Sequence, residues 1–182
     1  CAPGTYKVTV TTDGDLTTDC ISCPMGYFTY DRNLDACIKC PEGYHGFDSR
    51  PYAFCKACQR GKFGYAEAAV SEDYGCTACF AGRFNENIGL AASAASSSSL
   101  PCKGCPRGKY SESIENEKEA ACISCGTGMH GSTVLGASSN QSCVHCEPGL
   151  YSEAVAAYGR IETCLQCPAG FDENVTTRIG KG

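Results

Sequence analysis

Tryptophan is absent, methionine occurs twice and histidine three times in these 182 residues. Valine, isoleucine, leucine and phenylalanine are sparse, so there is little material for the core that a globular domain of this length would bury. No apolar run approaches the ~18 residues that cross a bilayer. The formal charge is only −5, and no basic stripe is present to neutralise phosphates, so nucleic acid is excluded as an expected partner. There is no initiator methionine and no signal-peptide pattern. The text opens on a repeat boundary and stops inside a repeat, so we expect a fragment of a longer chain with no membrane segment of its own.

What the chain has instead is cysteine, 17 residues of it, a level that marks a disulfide scaffold or a metal-rich protein. Apart from Cys1, every cysteine belongs to a Cys-x-x-Cys pair: 20/23, 37/40, 55/58, 76/79, 102/105, 122/125, 143/146 and 164/167. The second member of each pair opens a Cys-x-x-Gly motif, as Cys1 also does. This self-similarity defines nine units: 1–22, 23–39, 40–57, 58–78, 79–104, 105–124, 125–145, 146–166 and a partial 167–182. None can bury a core alone, so neighbours must stack. The expected fold is a small disulfide-rich, elongated array of short β-hairpin and irregular units, a solenoid-like rod without a large hydrophobic core.

Within a unit, Cys-Pro-x-Gly suits a type I turn with Pro second and Gly fourth, whereas the Pro-Gly of CAPG and CEPG suits type II. The glycines are expected to adopt a backbone conformation closed to other residues. Two residues after each Gly comes a ring: Tyr6, Phe28, His45, Phe63, Phe84, Tyr110, His130 and Tyr151, with Phe171 displaced in the last unit. We expect it to pack on a disulfide of its own or the next unit. In several units a second large residue follows at period two (Val8, Tyr30, Phe47, Tyr65), as on one face of a strand; Glu112 and Glu153 replace it in units six and eight. The unit then reads as turn, short strand, variable loop and return strand. The serine run at 91–101 and the threonine-rich 9–18 are candidates for O-linked sugar. Asn140 and Asn174 head N-glycosylation patterns.

Two chemistries fit the cysteines. Paired Cys-x-x-Cys motifs can build tetrahedral zinc sites. The single-unit period, the lone Cys1 and the Ser/Thr-rich surface favour disulfides. Bridges could lie within each Cys-x-x-Cys, making small rings that stabilise little, or close each unit. The closing scheme joins Cys1–Cys20, Cys23–Cys37, Cys40–Cys55, Cys58–Cys76, Cys79–Cys102, Cys105–Cys122, Cys125–Cys143 and Cys146–Cys164, leaving Cys167 for a partner beyond Gly182. Each closed loop then contributes on the order of 3 kcal/mol by chain entropy, which favours this scheme. Connectivity is not decided by sequence.

Tyr110-Ser-Glu followed by Cys122-Ile-Ser-Cys125, and Tyr151-Ser-Glu followed by Cys164-Leu-Gln-Cys167-Pro-Ala-Gly, resemble the ephrin-receptor-like cysteine-rich repeat. The module is also similar to the one-disulfide module of tumour-necrosis-factor receptor ectodomains and to the cysteine-rich surface antigens of protists. The resemblance implies an extracellular, non-enzymatic protein whose modules close their own disulfides. It carries no cytokine binding, because the units do not group into multi-disulfide modules.

No catalytic constellation is visible. His45 and His130 occupy the ring slot and His145 lies between two cysteines. Asp13-Gly14-Asp15 lacks the further ligands of a calcium loop and reads as a turn. Arg60 with Lys62 and Arg107 with Lys109 are basic pairs suited to solvent or to acidic sugar. The expected function is an extracellular or cell-surface structural segment: a stalk, coat or filament, glycosylated, without cofactor, in contact with neighbouring repeats and copies of itself. The alternatives are a ligand-binding receptor ectodomain and a zinc-binding array.

Overall fold

The computed structural model describes residues 1–12, 14–47, 54–94, 100–159 and 163–168. They form eight two-stranded antiparallel pairs, almost no helix and no closed barrel. β1 (Thr5–Thr12) pairs with β2 (Asp15–Ser22), β3 (Tyr27–Phe28) with β4 (Ile38–Lys39), β5 (Tyr44–His45) with β6 (Lys56–Ala57), and β7 (Lys62–Gly64) with β8 (Cys76–Ala78). Then β9 (Arg83–Phe84) pairs with β10 (Lys103–Gly104), β11 (Lys109–Tyr110) with β12 (Ile123–Ser124), β13 (Met129–His130) with β14 (Val144–His145), and β15 (Leu150–Tyr151) with β16 (Leu165–Gln166). The short α1 (Glu72–Gly75) precedes β8. The tandem hairpin array read from the repeat is therefore the fold.

Every hairpin starts at one turn, and it sits one residue later than Cys-Pro-x-Gly suggested. The bonds run from Tyr27 N–H to the Pro24 carbonyl, Tyr44 to Pro41, Lys109 to Pro106, and likewise Thr5 to Ala2 and Leu150 to Glu147. Glycine is thus the third residue of the turn, not the fourth. Its φ lies between +71° and +83° from Gly4 through Gly149, as a type II turn requires. Proline in CPMG or CPEG is the first turn residue, so the type I reading is corrected in favour of type II.

β1–β2 departs from the two- or three-residue strands of the rest. Its β-branched run of Thr and Val favours extension. The connecting Asp13-Gly14 is a favoured hairpin dipeptide, and Gly14 takes φ +88°. The expected second large residue holds in β1, where Tyr6 and Val8 share one face of the strand, and is corrected in the short strands. β3 ends at Phe28 and β5 at His45, so the next residues but one lie beyond the strands. Tyr30 and Tyr65 are exposed there.

The chain folds as two compact bodies: Cys1–Ala78 with Asn87–Pro101, and Cys79–Glu86 with Cys102–Gly182. The fifth unit is split because its segment after Glu86 bonds to units three and four. Gly89 N–H donates to Cys58, and the Leu90 carbonyl accepts from Gly64. Within each body cysteine is the commonest buried side chain: Cys23, Cys40, Cys58, Cys79, Cys105 and Cys125 are at most 2% exposed. Sulfur takes the place of aliphatic core.

Candidate functional site: the ladder between repeats

Eight disulfides run in sequence order, from Cys1–Cys20 to Cys146–Cys164. Their Cα separations are 5.2–5.9 Å, within the normal range. Cys167, half-buried, is free. Bonded sulfur offers no thiolate to zinc. Among the described residues no group of three or more His, Cys, Asp or Glu is placed to hold a metal. In the ring slot, Phe84 of unit five joins Cys105 and Cys122 of unit six in one buried cluster.

Among the described residues, backbone hydrogen bonds tie successive units together at positions the sequence reading did not single out. Counting from the leading cysteine as zero, the sixth residue donates to the eleventh of the following unit. Lys7 bonds Leu34, Gly46 bonds Ala69, Gly64 bonds Leu90, Asn85 bonds Asn116, and Gly131 bonds Ala157, at 2.7–3.0 Å. The tenth residue donates back to the preceding unit's leading cysteine. Asn33 bonds the Cys1 carbonyl, Ala68 bonds Cys40, Gly89 bonds Cys58, Glu115 bonds Cys79, and Ala156 bonds Cys125. In unit seven an extra residue shifts this role to Gly136, which bonds Cys105. Each of these six donors has positive φ, from 54° to 82°.

The left-handed residue also reaches the unit two places back. A Cβ on Gly26 would strike the Ala68 carbonyl, and one on Gly108 the Ala156 carbonyl. The loops of units four, five, seven and eight are thus each wedged against two predecessors in their own body. A side chain at the turn glycine is excluded by close approach as well as by φ.

Except at the exposed Lys7 of unit one, the sixth residue is small or polar because it lies under the next unit. Thr29, Asn85, Ser111 and Ser152 are buried polar side chains, while Gly46, Gly64 and Gly131 leave no side chain at all. Thr29 Oγ1 accepts from Gly4 N–H at 2.7 Å. Asn116 Nδ2 reaches the Arg83 carbonyl, Ser111 Oγ and the Ser113 carbonyl at 2.8–3.1 Å. Aligning the units on their leading cysteines would have exposed this column of small residues.

The other candidates are dispersed. His45 is buried, its Nδ1 2.6 Å from the Gly46 carbonyl and its Nε2 without a partner; His130 is half-buried and His145 exposed. Three of the four basic-pair residues are engaged internally, and Arg60 is exposed. Lys62 Nζ lies 2.7 Å from Glu72, Lys109 Nζ 3.3 Å from Glu119, and Arg107 stands 5.6 Å from the centre of the Tyr158 ring. The hydrogen bond from Lys62 holds the Glu72 carboxyl below its ordinary value. Ser93 does the same to Glu42, tying unit five to unit three at 2.9 Å. Asn140 is exposed at the start of a one-turn 3-10 segment, Asn140–Ser142. Asp15 opens β2. Asn174, Phe171, Asp13 and most of the serine run lie outside the described residues.

A one-disulfide hairpin repeated in tandem defines the class: a cysteine-rich repeat array of the extracellular type. Residues 11–52 match the family described as tyrosine-protein kinase ephrin type A/B receptor-like. No curated protein matches the chain.

Proposed function

We propose that the chain is a structural segment, a disulfide-laddered stalk, surface coat or filament whose work is to resist extension and proteolysis. The observation that carries this reading is the double tie on the described loops. A covalent bridge closes each of the eight units, and backbone bonds near 1 kcal/mol apiece hold it to its neighbours. Such a ladder supplies rigidity without an oily interior, and its buried atoms are engaged in scaffolding. The exposed Asn140 pattern supports N-glycosylation in the secretory pathway, which treatment with an N-glycosidase reads as a mass loss. Electron microscopy of the native material tests the main reading. Continuous fibres or a surface layer support it, and isolated compact particles overturn it.

The receptor-like family matched at residues 11–52 favours a second reading, a ligand-binding ectodomain. Capture of one soluble ligand at stoichiometric amounts by the immobilised segment would replace the structural reading with this one.

A further inference from the structure

We infer that the outer edge of β1 is a docking edge for the same edge of a second copy of this chain. β1 and β2 are eight residues long, whereas the other strands have two or three. An isolated two-stranded ribbon is marginally stable in water, and β2 is exposed along its whole length. Val10 and Leu16 are 40% and 74% exposed. The ribbon projects beyond the part that the disulfide and the next unit secure.

The hydrogen-bond alternation fixes which backbone groups are free. Lys7 pairs with Cys20 in register, yet its N–H leaves the ribbon for the Leu34 carbonyl. Lys7 and Cys20 are therefore a non-hydrogen-bonded pair, and Tyr6, Val8 and Val10 turn their backbone groups towards β2. Thr9 and Thr11 turn theirs outward on β1; Leu16 and Thr18 do so on β2. None of these four has a backbone partner on its outer side among the described residues.

Charge separates the two edges. A two-fold axis at Thr17 would pair β2 with a second β2, and would set Asp15 opposite the second copy's Asp19, twice. Like charges directly opposite destabilise a sheet. A two-fold axis at Val10 pairs β1 with β1, sets Thr9 opposite the second copy's Thr11, and makes four N–H···O=C bonds from Thr9 and Thr11 of each copy. It brings the two Val10 side chains together. Each Lys7 lies about 20 Å from the other in register, beyond the screening length. From Val8 to Thr12 the edge carries no charge and no proline, so it lacks the usual protections against edge pairing. The contact is lateral and closed, so it holds whether or not the chain is a fibre.

The test uses secreted chain carrying Cys167→Ser, which removes any dimer made through that thiol; intact mass confirms the eight bridges. Sedimentation is followed over a concentration series. The expected result is a mass that doubles and stops. Val10→Lys, which sets two ammonium groups face to face, is expected to abolish the doubling. Thr18→Lys on the other edge is expected to leave it unchanged. Val10→Cys is expected to cross-link as a dimer on oxidation, because the two Cα atoms would stand about 4.5 Å apart, within disulfide range. The proposal is overturned by a chain monomeric at every concentration, by open-ended growth, by a doubling that survives Val10→Lys, or by one lost with Thr18→Lys.

Discussion

Pulling the chain from Cys1 and Cys164 would measure the ladder directly. Reduced and fully extended, that stretch reaches about 550 Å at ~3.4 Å per residue. Oxidised, tension bypasses every closed loop. It crosses eight bridges of 5.2–5.9 Å between Cα atoms and seven Cys-x-x-Cys links of about 10 Å each. The limit is then about 115 Å, near one-fifth of the reduced length. Optical-trap extension between handles at the two residues reads this limit. A reductant added under load should lengthen the chain in discrete steps. Opening Cys23–Cys37, which encloses a separation of 14 residues, releases about 40 Å. Opening Cys79–Cys102, with a separation of 23, releases about 70 Å. An oxidised limit close to the reduced one, or steps of only a few ångströms, would show bridges inside the Cys-x-x-Cys pairs and would refute the reasoning.

Gly108→Ala places a Cβ on the Ala156 carbonyl at φ +75°, so thermal unfolding should show a loss above about 2 kcal/mol. Gly14→Ala meets open space and should lose only about 1 kcal/mol; equal losses would contradict the wedge. Asn116→Ala strips partners from buried acceptors and should cost roughly 1–3 kcal/mol, with faster amide exchange at Ser111 as the local readout. Glu72→Gln probes the pair with Lys62. A depressed carboxyl stabilises the fold above the ordinary carboxylate range, and that contribution is lost as pH falls through the folded value. The half-exposed pair is worth less than about 1 kcal/mol, so the substitution should lower the melting temperature slightly at neutral pH and not at all near pH 2.

The hairpin array was legible because Cys-x-x-Gly-x-ring recurs with little drift, and because the family resemblance rests on the same residues. The turn type was misplaced at CPMG and CPEG because proline favours several turn positions, and only the bond to the Pro24 or Pro41 carbonyl decides among them. The ladder was opaque for a different reason. Its tenth position is selected by backbone shape and a carbonyl in another unit, and Asn33, Ala68, Gly89, Glu115 and Ala156 all serve. A left-handed φ at alanine or glutamate has no compositional signature. The long β1–β2 ribbon was present in the sequence as KVTVTT followed by Asp-Gly, but the short period of the other units masked it.

The wedge leaves one stretch of every unit at liberty. Up to the eleventh residue, spacing is held almost constant, since the turn glycine and the sixth, tenth and eleventh positions meet a neighbour. Beyond it only the closing cysteine must be reached: two residues intervene between Leu34 and Cys37, and eleven between Leu90 and Cys102. Evolution, or an engineer grafting an epitope, can lengthen that segment without re-registering the array. Foreign cargo set immediately before a closing cysteine is displayed once per unit, while the same insert ahead of the wedge unseats two neighbours together.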